Sequence, residues 1–345
     1  MIAPHVSAPP PDARFVCESF ALGEPAGEMT PVAGGLSNRM WRLVTDRGAF
    51  AIKQLELANA NPVWPPWIER AFRFECSAFE HGVPMPRPIS VAATGGCLAE
   101  IADDAGVVTS LRAHAWVEGR RLARVVHGAA TAERVGAMLA GVHAVHSVVE
   151  DFDGGDALHV LGESHWLERA ERVERARADW AWEFRALLPV IDALEAYIIE
   201  ARSDPVAIIM GHRDTCQGNF LETAAGDLVL IDWDFAGPVH PRHEVAKEAL
   251  GWAGVDFGAP DARAAHGLIE GYRRAGGAFD HVQRTDFGEF IAIALDWFDL
   301  NVRRTLGEWV RDEGDRALGE GIVRASLKNL PRFARSIDRW VPLLE

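Results

Sequence analysis

Short apolar runs separated by glycine-containing turns fill the part of the chain that follows residue 14. The three clearest runs are residues 29–32, 40–45 and 49–55. Runs of this length between turn residues predict β-strands, so we expect a strand-rich region from residue 15 to about residue 110. Residues 1–14 contain four prolines and few large apolar side chains, which predicts a flexible tail.

A helical period appears first in residues 67–80, which end just before Gly82 with Pro84 and Pro86 beyond. From about residue 130 the helical period dominates, and Pro189 predicts a break in one of the longer stretches. The helical stretches are residues 132–145, 164–202, 261–275, 287–305 and 317–340. The pattern therefore predicts strands followed by a mainly helical part.

Composition narrows the class of protein. The chain has 345 residues and a formal net charge of −15, and an acidic surface disfavours nucleic acid as a partner. No apolar run approaches the length of a membrane span, and the first residues lack the pattern of a signal peptide, so we expect a cytoplasmic protein with no membrane partner. The four cysteines are far apart, which argues against disulfides and a structural zinc site. The sequence leaves the oligomeric state open.

The most informative stretch lies between residues 207 and 235. Two short apolar runs, 207–210 and 228–231, enclose a turn signal at 224–227 and predict loop, strand, turn and strand. Its polar side chains suit phosphoryl transfer, in which a carboxylate orients the attacking hydroxyl and further oxygen ligands hold Mg²⁺ against the phosphates. These side chains are His212, Asp214, Asn219, Asp232 and Asp234.

The spacing of this stretch resembles the aminoglycoside phosphotransferase and choline kinase superfamily of small-molecule kinases. Asn219 follows Asp214 by five residues, and Asp232 follows thirteen residues later. The resemblance implies that Asp214 is the catalytic aspartate and that Asn219 and Asp232 bind Mg²⁺, with His212 supporting the loop. The chain departs from the family pattern at Arg213, where most small-molecule kinases have glycine, and at residues 215–218, which differ from the usual Leu-His-Pro-Gly.

The same resemblance implies a protein-kinase-like α+β fold with two lobes. Residues 15–117 would form a small β-rich N-terminal lobe that covers the nucleotide, and residues 118–345 a larger, mainly helical C-terminal lobe with the catalytic residues and the acceptor site. Asp232 is followed by Trp233-Asp234 and not by the Phe-Gly of protein kinases, the Asp-Phe-Gly sequences at 256–258 and 286–288 come well after this stretch, and the chain has no Ala-Pro-Glu and no obvious activation segment. Those absences disfavour a protein kinase.

The nucleotide, ATP or GTP, would be held mainly by the N-terminal lobe. Ala51-Ile52-Lys53 resembles the kinase strand whose lysine binds the α- and β-phosphates. Glu75, preferred over Glu69, would orient Lys53 from the helix at 67–80. Ser37 and Asn38 would lie over the phosphates, and the backbone of Ala115 and Val117 would hold the base.

The acceptor site is the least defined part of the prediction. Asp179 and Glu183, four residues apart and beside tryptophans, are candidates to bind an amine or a sugar, and the alternative is an ordinary salt-bridged surface. Asp234 is a third candidate to bind the substrate, and it would also support the metal ligands. We expect phosphorylation of a hydroxyl on an aminoglycoside or amino-sugar. A metabolic kinase acting on choline, homoserine or a sugar, and a nucleotide-binding pseudokinase, are the alternatives, so the sequence leaves open a role in antibiotic resistance or metabolism.

Overall fold

A helix precedes the first strand in the computed structural model, which describes residues 10–32, 38–55, 64–102, 108–146, 149, 158–203, 208–255, 260–308, 310 and 313–344. This helix, α1 (Ala13–Phe20), begins because the side chain of Asp12 accepts hydrogen bonds from the backbone N–H groups of Arg14 and Phe15. It starts two residues inside the segment predicted as a tail. Residues 1–9 of that prediction lie outside the described residues.

An antiparallel sheet forms the N-terminal lobe, and its first strands coincide with the predicted runs. The strand order is β1-β2-β3-β6-β4, and β5 also pairs with β6. Alternation along the strands buries Trp41, Phe50 and Ile52 on the face that packs with α1. The strands are β1 (Thr30–Val32), β2 (Arg39–Thr45), β3 (Gly48–Leu55), β4 (Pro88–Ile89), β5 (Ala99–Ala102) and β6 (Val108–Ala115).

Helix α2 (Trp64–Glu80) begins three residues before the predicted start. Two prolines, Pro65 and Pro66, occupy its first turn, where the missing N–H group breaks no helical hydrogen bond. The buried side of α2 belongs to the core of the helical lobe, and Phe74 packs on Trp233 with ring centroids 5.9 Å apart. Helix α2 therefore connects the sheet to the loop that carries the predicted metal ligands.

Helices make up most of the C-terminal lobe. The turn between α4 (Glu163–Arg175) and α5 (Ala181–Arg202) contains Arg177 in a left-handed conformation, and Pro189 lies inside α5, so the predicted break at Pro189 is wrong. Helices α3 (Ala129–His143) and α7 (Ala262–Arg274) pack closely because Gly136 has no side chain. A Cβ atom at this position would lie only 1.9 Å from the backbone oxygen of Leu268. The helices are α3 (Ala129–His143), α4 (Glu163–Arg175), α5 (Ala181–Arg202), α6 (Pro241–Ala253), α7 (Ala262–Arg274), α8 (Gly288–Thr305) and α9 (Glu313–Leu344).

Two small antiparallel sheets support the segment from 209 to 239. The predicted turn at 224–227 joins β9 (Phe220–Glu222) to β10 (Leu228–Leu230), and β9 also pairs with β7 (Arg120–Arg121). The run before His212 forms β8 (Ile209–Gly211), which pairs with β11 (Gly237–Val239). The predicted boundary between 117 and 118 falls in the connection from β6 to β7. None of the helices in the described ranges is long and apolar enough to cross a membrane.

The described strands and helices confirm the predicted α+β class. A small antiparallel sheet forms most of the N-terminal lobe, and a larger helical lobe follows it. The stretch from His212 to Asp234 lies in the helical lobe, and Lys53 lies on β3 of the sheet. Contacts between these two groups of residues therefore cross from one lobe to the other.

Candidate active site

His212 supports the loop that follows β8. Its ring is fully buried and meets Trp233 edge to face, with centroids 4.7 Å apart. Nδ1 accepts the N–H group of Asp214 at 3.3 Å, so Nε2 carries the proton and donates to the carbonyl oxygen of Ile231 at 3.2 Å. Burial lowers the pKa of His212. The neutral ring thus ties the backbone of Asp214 to Ile231, the residue that follows β10.

Arg213 adopts a left-handed conformation with φ of 69°. A side chain is strained in that region, which explains why glycine suits this position in the family that the sequence resembles. Both backbone groups of Arg213 are held by α6: its N–H donates to Glu244 at 2.6 Å, and its carbonyl accepts from Lys247 at 2.7 Å. Its guanidinium also lies over the ring of Trp67, 5.3 Å from the centroid. These contacts offset the strain.

Beneath the loop, Glu244 and Lys247 belong to a buried charged cluster. Lys247 Nζ lies 2.9 Å from Glu289 of α8 and 3.2 Å from Glu248. Burial alone would raise the pKa of Glu244, but the bond from His143 and the charge of Lys247 lower that pKa to about 2. Burial raises the pKa of Glu248 to about 7 despite Lys247. Lys247 is not among the residues that the sequence predicts for the site.

Asp214 and Asn219 are in direct contact. Asn219 ends the short 3₁₀ helix Gln217–Asn219, and its Nδ2 donates to Asp214 Oδ2 at 2.8 Å and to the Asp214 carbonyl oxygen at 3.0 Å. Asp214 is partly exposed. Because both bonds use the NH₂ group of Asn219, they do not occupy its amide oxygen, which is the atom that would bind a metal ion.

Lys53 reaches across from the sheet to the two aspartates that follow β10. Its Nζ lies 2.5 Å from Asp232 Oδ1 and 2.5 Å from Asp234 Oδ2. Burial acts to lower the pKa of Lys53, but the two carboxylates outweigh it and raise that pKa. Asp232, in a left-handed conformation with φ of 69°, keeps 31% of its side chain exposed, whereas Asp234 keeps 6%. Asp232 is therefore the carboxylate that remains open to solvent.

The expected contact between Lys53 and Glu75 is not present in the described part of the chain. Glu75 instead pairs with Arg112 through one oxygen and with His114 Nε2 through the other, at 2.8 Å. Arg112 also pairs with Asp234 and so lies between Glu75 and the partner of Lys53. Burial acts to raise the pKa of Glu75, but the Arg112 charge lowers it.

Glu69, the other candidate for that role, accepts the backbone N–H groups of Cys97 and Leu98 at 2.9 and 3.1 Å. It therefore supports the turn before β5. Arg112 was missed because its meeting with Lys53 depends on which residues of β3 and β6 face each other. The alternation of polar and apolar residues from Ser110 to Ala115 along β6 is the signal that could have placed it on the face of Lys53.

The other predicted nucleotide contacts lie around the edges of the sheet. Ser37 is outside the described residues, and Asn38 comes just before β2. Ala115 ends β6, and its N–H donates to the Arg87 carbonyl at 2.9 Å, so only its carbonyl group could face a base. Val117 lies in the connection between the lobes.

Two of the three predicted substrate residues have other partners. Both oxygens of Asp179 bind Arg324 of α9, at 2.6 and 2.8 Å, which supports the alternative of a salt-bridged surface. Asp234 is buried between Lys53 and Arg112 and is not open to a substrate, contrary to the prediction that it binds one. Glu183 lies in the first turn of α5, and no contact within the described ranges joins it to Asp214.

Comparisons with known proteins agree with this geometry. The sequence profile of the phosphotransferase enzyme family (APH) matches residues 28–279. No curated protein sequence matches the chain at a significant level.

Three solved structures illustrate the similarity of the fold. A spectinomycin phosphotransferase in complex with ADP and spectinomycin has a TM-score of 0.64 and 10% identity, over 95% of this chain and 97% of its own. An amicoumacin kinase in complex with AMP-PNP and Ca²⁺ has a TM-score of 0.60 and 14% identity, over 96% and 93%. An ethanolamine kinase of Plasmodium vivax has a TM-score of 0.54 and 15% identity, over 89% and 83%.

The likeness to these kinases confirms the predicted protein-kinase-like fold. The family match extends over well more than half of the chain and includes Lys53, Asp214, Asn219 and Asp232. The chain therefore belongs to the phosphotransferase enzyme family.

Proposed function

We propose that this protein transfers the terminal phosphoryl group of a nucleoside triphosphate to a hydroxyl group of a small molecule. The observation that carries the proposal is a pair of contacts among the predicted site residues, one within the helical lobe and one between the two lobes. Asp214 and Asn219 are bonded at 2.8 Å in the helical lobe, and Lys53 reaches Asp232 at 2.5 Å from the sheet. An acceptor-orienting carboxylate, a phosphate-binding lysine and two oxygen ligands are what phosphoryl transfer requires.

Asp214 orients the acceptor hydroxyl and receives its proton. The Asn219 amide binds Oδ2 and so fixes the direction of the carboxylate. The neutral His212 ring and the clamped Arg213 backbone fix the peptide that carries it. A carboxylate held in this way loses little orientational freedom when the acceptor binds, and positioning supplies most of the catalysis in phosphoryl transfer.

The residues present fit a magnesium ion shared with the nucleotide. Asn219 offers an amide oxygen and Asp232 a partly exposed carboxylate, which are hard ligands that Mg²⁺ prefers. Within the described residues no group of three or more His, Cys, Asp or Glu side chains forms a site by itself. Two protein ligands suit an ion that takes its other ligands from phosphate and water. When bound, the ion would neutralise charge on the phosphates.

The donor and the acceptor are proposed by analogy. The spectinomycin phosphotransferase and the amicoumacin kinase were solved with adenine nucleotides, which supports ATP, with GTP as the alternative. We propose an aminoglycoside or amino-sugar as the acceptor, since a chain with a net charge of −15 attracts cations. The ethanolamine kinase is similar over most of its length, which keeps a metabolic amino-alcohol acceptor as the second candidate.

The test measures release of nucleoside diphosphate from Mg-ATP and Mg-GTP with a panel of aminoglycosides, amino-sugars and amino-alcohols. The Asp214→Asn variant serves as the inactive enzyme. Asp227→Asn, which changes an exposed aspartate on the β9–β10 turn, is the matched control. Release that depends on an acceptor, disappears with Asp214→Asn and persists with Asp227→Asn supports the proposal. Nucleotide binding without turnover on any acceptor would favour a pseudokinase.

A further inference from the structure

Two buried cations lie side by side on the sheet face that looks toward the catalytic loop. Lys53 of β3 and Arg112 of β6 are directly opposite each other in the register, so their side chains leave the sheet on the same side. Both are almost completely buried. Two like charges so close and so well shielded from solvent need carboxylates that compensate both of them.

The carboxylate oxygens around these cations are divided in a specific way. Glu75 uses Oε2 for Arg112 and Oε1 for His114, so both of its oxygens bind side chains other than Lys53. Asp234 uses Oδ1 for Arg112 and Oδ2 for Lys53. The five residues form one chain of ion pairs and hydrogen bonds from α2 to the loop after β10, and Arg112 is the link between Glu75 and Asp234.

We propose that Asp234, anchored by Arg112, is the positioning residue that directs Lys53 toward the nucleotide phosphates, in the place expected for Glu75. This inference rests on the proposed function. Asp234 acts through Lys53 and does not contact the substrate. Glu75 acts one step further away, because it fixes Arg112, which in turn fixes Asp234.

The two aspartates that contact Lys53 differ in what else holds them. Asp234 is bonded through both oxygens and is 6% exposed, whereas only one oxygen of Asp232 contacts Lys53, and 31% of that side chain is exposed. Asp232 can therefore exchange Lys53 for a metal ion when phosphates take its place beside the lysine. Asp234 keeps Lys53 in position during this exchange. The arrangement separates metal binding, at Asp232, from lysine positioning, at Asp234.

Two double-mutant cycles that share the substitution Lys53→Met test the proposal. One cycle adds Asp234→Asn, and the other adds Glu75→Gln. The first readout is the urea midpoint of unfolding, in EDTA and without nucleotide. We expect Lys53→Met and Asp234→Asn to be strongly non-additive, and Lys53→Met and Glu75→Gln to be coupled much more weakly, because Glu75 reaches Lys53 only through Arg112 and Asp234. Equal coupling of Lys53 to Glu75 would overturn the assignment.

The second readout is kcat and the KM for the nucleotide, which a merely structural residue would not couple to Lys53. Asp234→Asn should lower kcat/KM for the nucleotide by about tenfold to a hundredfold in the native background, as expected for loss of a charged hydrogen bond. In the Lys53→Met background the same change should cost less than about twofold. An undiminished loss there, or a weaker affinity for Mg²⁺, would make Asp234 a metal ligand and refute the proposal.

The test still decides if one variant fails to fold or if the proposed function is wrong. Asparagine has the shape of aspartate, and Arg112 retains Glu75, so Asp234→Asn is expected to fold. If it does not fold, the Lys53–Glu75 cycle still decides, because the proposal predicts only weak coupling there, below that of a direct ion pair. Failure of the proposed function would appear differently, as a native protein that transfers no phosphoryl group while the unfolding cycle still shows coupling between Lys53 and Asp234.

Discussion

Replacing Lys247 with methionine should remove the support beneath the loop that carries Asp214. Lys247 is buried and donates to the Arg213 carbonyl at 2.7 Å and to Glu289 at 2.9 Å. Glu289 is 0% exposed, and its Oε2 has no hydrogen-bond partner in the described ranges. Burial acts to lower the pKa of Lys247, but Glu289 and Glu248 raise it, so the lysine is charged at neutral pH.

The expected loss of stability follows from the charges that remain. Removing one partner of a buried ion pair leaves an uncompensated charge and costs about 3–5 kcal/mol. Domains have total stabilities of about 5–15 kcal/mol, so the variant should be measurably folded but weak. Urea unfolding followed by tryptophan fluorescence gives the free energy. The double variant Lys247→Met, Glu289→Gln should recover at least about 1 kcal/mol, because it removes the stranded carboxylate.

A loss smaller than about 1 kcal/mol for Lys247→Met would refute this reasoning, since it is the range of an exposed ion pair. Absence of recovery in the double variant would show that Glu289 is not the charge that Lys247 compensates. Where the variant folds, the decrease in kcat should be larger than the change in the KM for the nucleotide. The reason is that Lys247 holds the peptide before Asp214 and does not contact the phosphates.

Three further outcomes are expected. Arg213→Gly relieves a left-handed strain of about 1–2 kcal/mol but loses the Trp67 stacking and adds chain entropy, so urea unfolding should place it within about 1 kcal/mol of the native protein and above Arg213→Ala. Burial raises the Glu248 pKa from 4.5 to about 7, so the folded state binds more protons than the unfolded state between these pH values, and this contribution to stability falls as pH rises. The melting temperature of Glu248→Gln should therefore depend less steeply on pH in this range than that of the native protein. An equally steep dependence would contradict this assignment. Asp232→Asn should raise the Mg²⁺ concentration for half-maximal activity at least about tenfold, and an unchanged requirement would remove Asp232 from the metal site.

Local patterns predicted most of the fold. Strands β1 to β3 and most helices follow from periodicity and turn residues, because neighbouring residues decide them. Helix α1 was missed because it is a short element directly after a run of prolines. The break between α4 and α5 was misplaced at Pro189, because the left-handed turn at Arg177 carries no glycine to mark it. Arginine seldom adopts that conformation, so the sequence contains no signal for it.

The candidate site divides in the same way. Asp214, Asn219 and Asp232 lie within one short segment, so the resemblance of their spacing to the family pattern was enough to predict that they act together. The partner of Lys53 depends on the register between strands β3 and β6, which are far apart in the sequence, and the expected Glu75 was therefore replaced by Asp234. Lys247 was missed because a lysine on a helix is usually exposed, and only the tertiary packing buries it.

The most direct test of phosphoryl transfer follows the phosphoryl group itself. The protein is incubated with Mg²⁺, an acceptor that stimulates diphosphate release, and ATP that carries an isotope label in its terminal phosphoryl group, and the acceptor is examined by mass spectrometry. We predict labelled phospho-acceptor from the native protein, and at least about a hundredfold less from Asp214→Asn with unchanged nucleotide binding. Label found only in inorganic phosphate, or equal transfer by the Asp214→Asn variant, would contradict the proposed function of this site.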